Sequence, residues 1–319
     1  MSFGLTNTEF EIGPATREAF GKALADAGSD ERVVVVDGDV NNSTYTNKFM
    51  DKYPERFFNV GIAESNMIGI AAGLAGAGKI PVAASFSIFL MANAFDQIRM
   101  SIAFPNENVK LVGTHAGISI GEDGPSQMAI EDVALACALP GFTVIVPADG
   151  PSAERATHAM IEREGPTFLR CGRPGVPIVY DDPGKWHIGK ATTMRAGDDI
   201  TIIANGLMVS MALDAAVALE KEGVKARVLD MHTVKPIDTA AIEKAANETR
   251  GIVVAEEHIA YGGLGSAVSM VVAERRPTRM AFVDLGDTYA TSGKPDELLV
   301  QYGLTPAAIQ DAVRRVLKD

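Results

Sequence analysis

Glu64 stands out in this chain by its surroundings. It lies in Asn59-Val-Gly-Ile-Ala-Glu-Ser-Asn-Met67, a strand-to-helix junction otherwise built from apolar and small residues, with Ile62 two positions before it. Small residues follow at Gly69, Ala71, Ala72, Gly73, Ala75 and Gly76, so the backbone there can approach a partner closely. A carboxylate in the first turn of such a helix gains from the helix dipole, yet few residues nearby in sequence could bond it. It reads either as a group kept for a ligand or for proton transfer, or as an ordinary capping glutamate. Phe86 and Phe89, three apart in Ala84-Ser-Phe-Ser-Ile-Phe-Leu90, share one face if the chain turns helical there. Such a pair could hold a flat ring, or it could simply be core. Asp123 sits in Glu122-Asp-Gly124, where a turn aspartate is the plain alternative.

The elements that must position these groups are legible as short β-branched runs alternating with helical stretches. The runs are Val33–Val36, Pro81–Ala84, Val109–Val112, Thr143–Val146 and Thr167–Leu169, then Ile200–Ala204, Ala226–Leu229, Ile252–Ala255 and Met280–Val283. This alternation predicts parallel sheets covered by helices, the α/β class. Gly172–Gly189, with three prolines and four glycines, interrupts it and reads as a linker. The expected domains are therefore 1–188 and 189–319. In the first, candidate functional residues follow the strands in turn: Asp37 and Asp39, Ser85 and Phe86, His115, Asp149, Arg170. Open parallel sheets bind ligands beyond the carboxyl ends of their strands, so these side chains face one rim.

Composition narrows the partners. The 319 residues are 47% apolar, include 31 glycines and carry a net charge of −12 without a basic block. Nucleic acid and anionic membrane are poor partners for such a chain. Cys137 and Cys171 are too few for a disulfide framework and lack metal-ligand spacing. The N-terminus has no signal-peptide pattern and no apolar run reaches membrane-spanning length, so a cytoplasmic location is expected.

Gly61-Ile-Ala-Glu64 and the long run Thr114-His-Ala-Gly-Ile-Ser-Ile-Gly-Glu-Asp-Gly-Pro-Ser-Gln127 resemble the transketolase family, specifically its C-terminal half. The resemblance covers nearly the whole chain. It implies two doubly wound domains: the pyrimidine-binding domain of thiamine diphosphate enzymes, linker included, and a smaller transketolase C-terminal domain. In that family a glutamate matching Glu64 bonds the cofactor's pyrimidine N1′ and promotes the proton shift that activates the thiazolium. Ile62, Phe86 and Phe89 would contact the cofactor. His115 resembles a histidine near the donor ketose and the reacting centre, and Asp123 an aspartate that reads a substrate hydroxyl. Gln127 stands where many members have histidine, although animal-type transketolases also read Gly-Pro-Ser-Gln-Met. Arg17, Ser43 and Arg170 match positions that grip a sugar phosphate, with Arg173 as a spare candidate. Asn93 falls where several relatives carry arginine. The Glu256-Glu257-His258 run and Gly262–Ser266 belong to a domain that the resemblance makes structural; His158, His187, His232 and His258 read as core or surface histidines and receive no catalytic role.

The family holds the diphosphate and its metal with a Gly-Asp-Gly followed at distance by Asn. Asp37-Gly-Asp-Val-Asn-Asn42 has those letters crowded together, and nothing else fits. The resemblance therefore implies a split enzyme. An N-terminal, diphosphate-binding subunit would supply that half with Mg2+ or Ca2+, in a heterotetramer with two copies of each chain. The rival readings are a 2-oxoacid dehydrogenase β subunit and a catalytically silent scaffold, with a 1-deoxyxylulose-phosphate synthase further off because that family keeps all its domains in one chain. Donor and acceptor sugars stay open, branched or sulfonated ones included.

Overall fold

The computed structural model describes residues 3–182, 184 and 186–318. Met1 and Ser2 of the expected leaderless N-terminus, and Pro183 and Lys185 of the expected linker, lie outside the described residues.

The first sheet gathers β1 (Val33–Asp37), β2 (Phe57–Asn59), β3 (Ile80–Phe86), β4 (Lys110–Thr114), β5 (Thr143–Ile145) and β6 (Thr167–Arg170). All six are parallel, in the spatial order β5-β6-β4-β3-β1-β2. Helices α1 (Thr16–Ala27), α2 (Glu64–Gly76), α3 (Asp132–Ala138) and α4 (Gly150–Glu162) connect and cover them. Val33 to Val36 are all buried, which is why the strand reads as an unbroken apolar run rather than an alternating one. The chain passes from β1 to β2 on one side and then to β3 on the other. That reversal opens a crevice at the carboxyl ends, the usual ligand position in such sheets.

The second sheet contains β7 (Thr192–Arg195), β8 (Ile200–Ala204), β9 (Ala226–Asp230), β11 (Ile252–Ala255) and β12 (Met280–Val283), in the order β12-β11-β8-β9-β7 with only β7 antiparallel. Helices α5 (Met208–Glu220), α6 (Thr239–Glu248), α7 (Leu264–Arg275) and α8 (Pro306–Leu317) flank it. The omitted strand, β10 (Thr233–Lys235), leaves this sheet and pairs antiparallel with β5 as the seventh strand of the first.

The boundary expected at 188 is therefore bridged in space. Besides β10, the N-terminal arm also crosses: the backbone N–H groups of Thr6, Asn7 and Thr8 donate to Asp214 on α5 at 3.1, 2.7 and 2.8 Å. Among the described residues, no helix is long and apolar enough to cross a membrane.

Candidate functional site

Glu64 opens α2 at the crevice and is 4% exposed. The Ser85 hydroxyl on β3 donates to its Oε1 at 2.9 Å, while Oε2 has only a long contact, 3.4 Å, from the Asn93 amide. One carboxylate oxygen is thus fixed and the other is available to a stronger donor. That answers the capping alternative: the helix has Ala63 as its N-cap, with no side-chain cap bond. Ile62 projects from the same junction, 78% exposed.

The aromatic pair forms as the spacing predicts. Phe86 ends β3, Phe89 begins a wider, π-helical turn (Phe89–Asn93), and their rings lie 6.1 Å apart and nearly parallel. That same turn brings Asn93 to Glu64. His115 stacks on Phe86 at 3.8 Å.

The protonation of His115 follows from its partners. Arg17 Nη1 lies 3.0 Å from His115 Nε2, and a guanidinium can only donate, so Nε2 accepts. The ring proton then sits on Nδ1, 2.8 Å from Thr114 Oγ1. Burial, reinforced by the Arg17 and Arg173 charges, pushes the imidazole down to about 3. His115 is neutral near neutral pH, with its Nε2 lone pair engaged by Arg17. Its backbone stands at φ 60°, an uncommon conformation that the loop around it must hold.

Arg17 also donates to the Ser43 carbonyl at 2.7 Å and lies over the Tyr45 ring. Ser43 thus meets Arg17 through its backbone, where a hydroxyl contact to phosphate was expected. Burial lowers the Arg17 pKa, and Arg173 adds like-charge repulsion. Arg17 and Arg173 line an open pocket of about 240 Å³ together with Ser119 and Glu122. Asp123 is near its rim, with Oδ1 3.8 Å from Arg173 Nη1. Gln127 is half-buried and accepts from the neighbouring Ser126 hydroxyl.

Arg170 corrects the sequence reading. Its side chain is 7% exposed and held through two of its nitrogens: Nε donates to both oxygens of the wholly buried Asp132 at 3.1 and 2.9 Å, and Nη2 donates to the carbonyls of Ala129 and Glu257 at 2.9 and 3.0 Å. It is a tie between the domains and is not placed to grip a phosphate. Arg173, the spare candidate, occupies that position. Asp149 and Asp37 also turn inward instead of facing ligand. Asp149 caps α4 and accepts from Val179 and Tyr180 of the linker, and Asp37 accepts from Val40, Thr44 and Thr46.

Two functional neighbours were missed. Asp132 accepts from Ser87 at 2.7 Å, which joins the aromatic turn to Arg170. Glu257 reaches the loop after β4 from the second domain. Its position at the carboxyl end of β11 was the available signal, the rule already applied to the first sheet.

Comparison with known proteins identifies both domains. Residues 13–178 match the transketolase pyrimidine-binding domain and residues 189–309 the transketolase C-terminal domain. The chain belongs to the transketolase family, of which it carries these two domains. A Methanocaldococcus jannaschii protein named as a transketolase C-terminal section is 40% identical over 306 residues, 95% of this chain and 96% of that one. Human transketolase is 40% identical over 308 residues, and this chain, 95% covered, spans only 49% of its length. A solved structure described as a split gene transketolase, inactive beta4 tetramer, is 44% identical with a TM-score of 0.88, covering 96% of this chain and 99% of that one.

The residues present fit a thiamine diphosphate pyrimidine. Glu64 offers a buried carboxylate oxygen without a strong partner, bonded through its other oxygen to Ser85, the residue before Phe86. Among the described residues, no group of three or more His, Cys, Asp or Glu could hold a metal ion.

Proposed function

We propose that this chain is the C-terminal subunit of a two-chain transketolase. It would transfer a two-carbon ketol unit from a ketose phosphate to an aldose phosphate, in the cytoplasm. An N-terminal subunit would supply the diphosphate and metal half, two copies of each chain making the enzyme. The observation that carries this reading is the convergence, at one crevice, of Glu64, Phe86, His115 and Arg17.

Bound thiamine diphosphate supplies the carbon nucleophile. This chain's residues supply the rest. Glu64 holds and relays a proton at the pyrimidine N1′, fixed in aim by Ser85. Phe86 and Phe89 give the ring an apolar wall. His115, neutral and held at Nε2 by Arg17, would accept a hydrogen bond from a substrate hydroxyl there once the substrate draws Arg17 away. Arg17 and Arg173 form the anion end: both guanidinium groups line one open pocket, where a phosphate dianion could bond the two together. A 2-oxoacid substrate would have less use for that second basic end. The beta-only assembly of the solved relative, described as inactive, supports dependence on a second chain.

The test is ketol transfer from xylulose 5-phosphate to ribose 5-phosphate with thiamine diphosphate and Mg2+. This chain is assayed alone and then with a candidate diphosphate-binding subunit. Activity confined to the mixture is expected. Turnover by the chain alone would refute the two-chain reading, and preference of the mixture for a 2-oxoacid would refute the sugar-phosphate one.

A further inference from the structure

Glu256-Glu257-His258 follows β11 in the second domain, and the reaction outlined above uses none of it. Two of the three hold nearby elements. Glu256 accepts from Leu264 and Gly265 at the start of α7, at 2.8 and 2.7 Å, and His258 Nε2 accepts from Ala134 of α3 at 3.3 Å. Glu257 does something else. Its carboxylate, in a residue 6% exposed, crosses to the first domain and accepts the Ser119 backbone N–H at 2.6 Å.

The loop is shaped around that carboxylate. Gly117 has φ +82°, and a Cβ there would lie 2.2 Å from the Glu257 carboxyl carbon, so a side chain at 117 and the carboxylate exclude each other. The Gly117 N–H bonds the Ala129 carbonyl at 2.8 Å, and that carbonyl also receives Arg170 Nη2, which donates to the Glu257 carbonyl as well. Arg170 continues through Asp132 to Ser87, between the two aromatic residues. The anchored segment lies between both ends of the crevice: His115, with its unusual φ, precedes Gly117 by two residues, and Ser119 lines the Arg17–Arg173 pocket.

We propose that Glu257 is a positioning residue for the reaction, through which the second domain holds the 114–127 loop and so keeps His115 in place over Phe86. This rests on the transketolase reading. A hydrogen bond to a buried carboxylate is worth more than a neutral one, and its loss releases the backbone that holds His115 in its uncommon conformation.

The experiment uses the full chain with its partner subunit and compares Glu257→Ala, Glu257→Gln, Gly117→Ala and Glu256→Ala. Glu257→Ala should lower kcat by about 10- to 100-fold, with a much smaller change in KM and thiamine diphosphate affinity retained. Glu257→Gln, which keeps an acceptor for Ser119, should restore most of kcat. Gly117→Ala displaces the carboxylate from the other side and should reproduce the loss, which keeps the test decisive if Glu257→Ala folds poorly. Glu256→Ala should lower thermal stability without changing kcat. Hydrogen exchange on the chain alone should show faster exchange at Ser119 in Glu257→Ala. Wild-type kcat in folded Glu257→Ala and Gly117→Ala would overturn the proposal, as would unchanged exchange at Ser119. Altered exchange in a chain whose wild type transfers no ketol group with any partner would count against the transketolase reading instead, and with it the catalytic part of the proposal.

Discussion

Replacing Arg170 with methionine would leave the wholly buried Asp132 carboxylate facing an apolar side chain. Of its present partners it would keep only the Ser87 hydroxyl at 2.7 Å. Two carbonyls, Ala129 and Glu257, would lose their guanidinium donor as well. Removing one member of a buried, hydrogen-bonded ion pair costs about 3–5 kcal/mol, mostly the penalty of the charge left behind. For a chain of this size that corresponds to a fall in Tm on the order of 10 °C. Calorimetry of Arg170→Met, Asp132→Leu and the double variant measures it. The double variant removes both charges and should recover most of the loss, because replacing a whole buried pair by apolar groups is often nearly neutral. Kinetics of the reconstituted enzyme, well below the lowered Tm, provide the second readout. KM should not rise selectively for phosphorylated over unphosphorylated sugars. A selective rise with Tm unchanged would refute the inter-domain tie and return Arg170 to the phosphate site.

Glu64→Gln should retain thiamine diphosphate binding while turnover falls by roughly 100-fold or more, because the proton relay alone is removed; near-normal turnover sinks its role. Arg173→Ala should raise KM for phosphorylated sugars well above that for unphosphorylated analogues, and equal changes would remove it from the anion end. The pH dependence of kcat should contain no ionisation near 6.5 that disappears in His115→Gln, since the imidazole is held at about 3. Burial likewise pushes His232, stacked under Trp186, from 6.5 down to about 3. The unfolded chain then binds that proton more readily than the fold, so the contribution is full above pH 6.5 and is lost as pH falls toward 3. The difference in urea midpoint between wild type and His232→Phe should narrow on acidification from neutrality to about 4; a constant difference contradicts the assignment.

Periodicity located the strands well because central parallel strands are apolar on both faces: Ile200–Ala204, Ile252–Ala255 and Met280–Val283 have the bounds read from sequence. Glu64 and the Phe86–Phe89 pair were legible because each depends on local chemistry, a junction or a three-residue spacing. Arg170 was not. Its partner Asp132 is 38 residues away, and only the tertiary fold shows that a cation at a strand end is already paired. Glu257 was hidden for the same reason at a separation of 138 residues from Ser119. β10 escaped notice because three residues, Thr233–Lys235, give too short a pattern to separate from loop, and its pairing with β5 is wholly non-local.

That short strand has a consequence for dissecting the chain. A fragment ending at 188 would lose its seventh strand and expose the edge of β5, an unpaired row of backbone groups inviting intermolecular pairing. It would also leave the amides of residues 6–8 without their acceptor, Asp214. Cleavage within 178–189 should therefore give two peptides by denaturing electrophoresis and a single species by gel filtration. The segment that looks like a seam is the least informative place to cut.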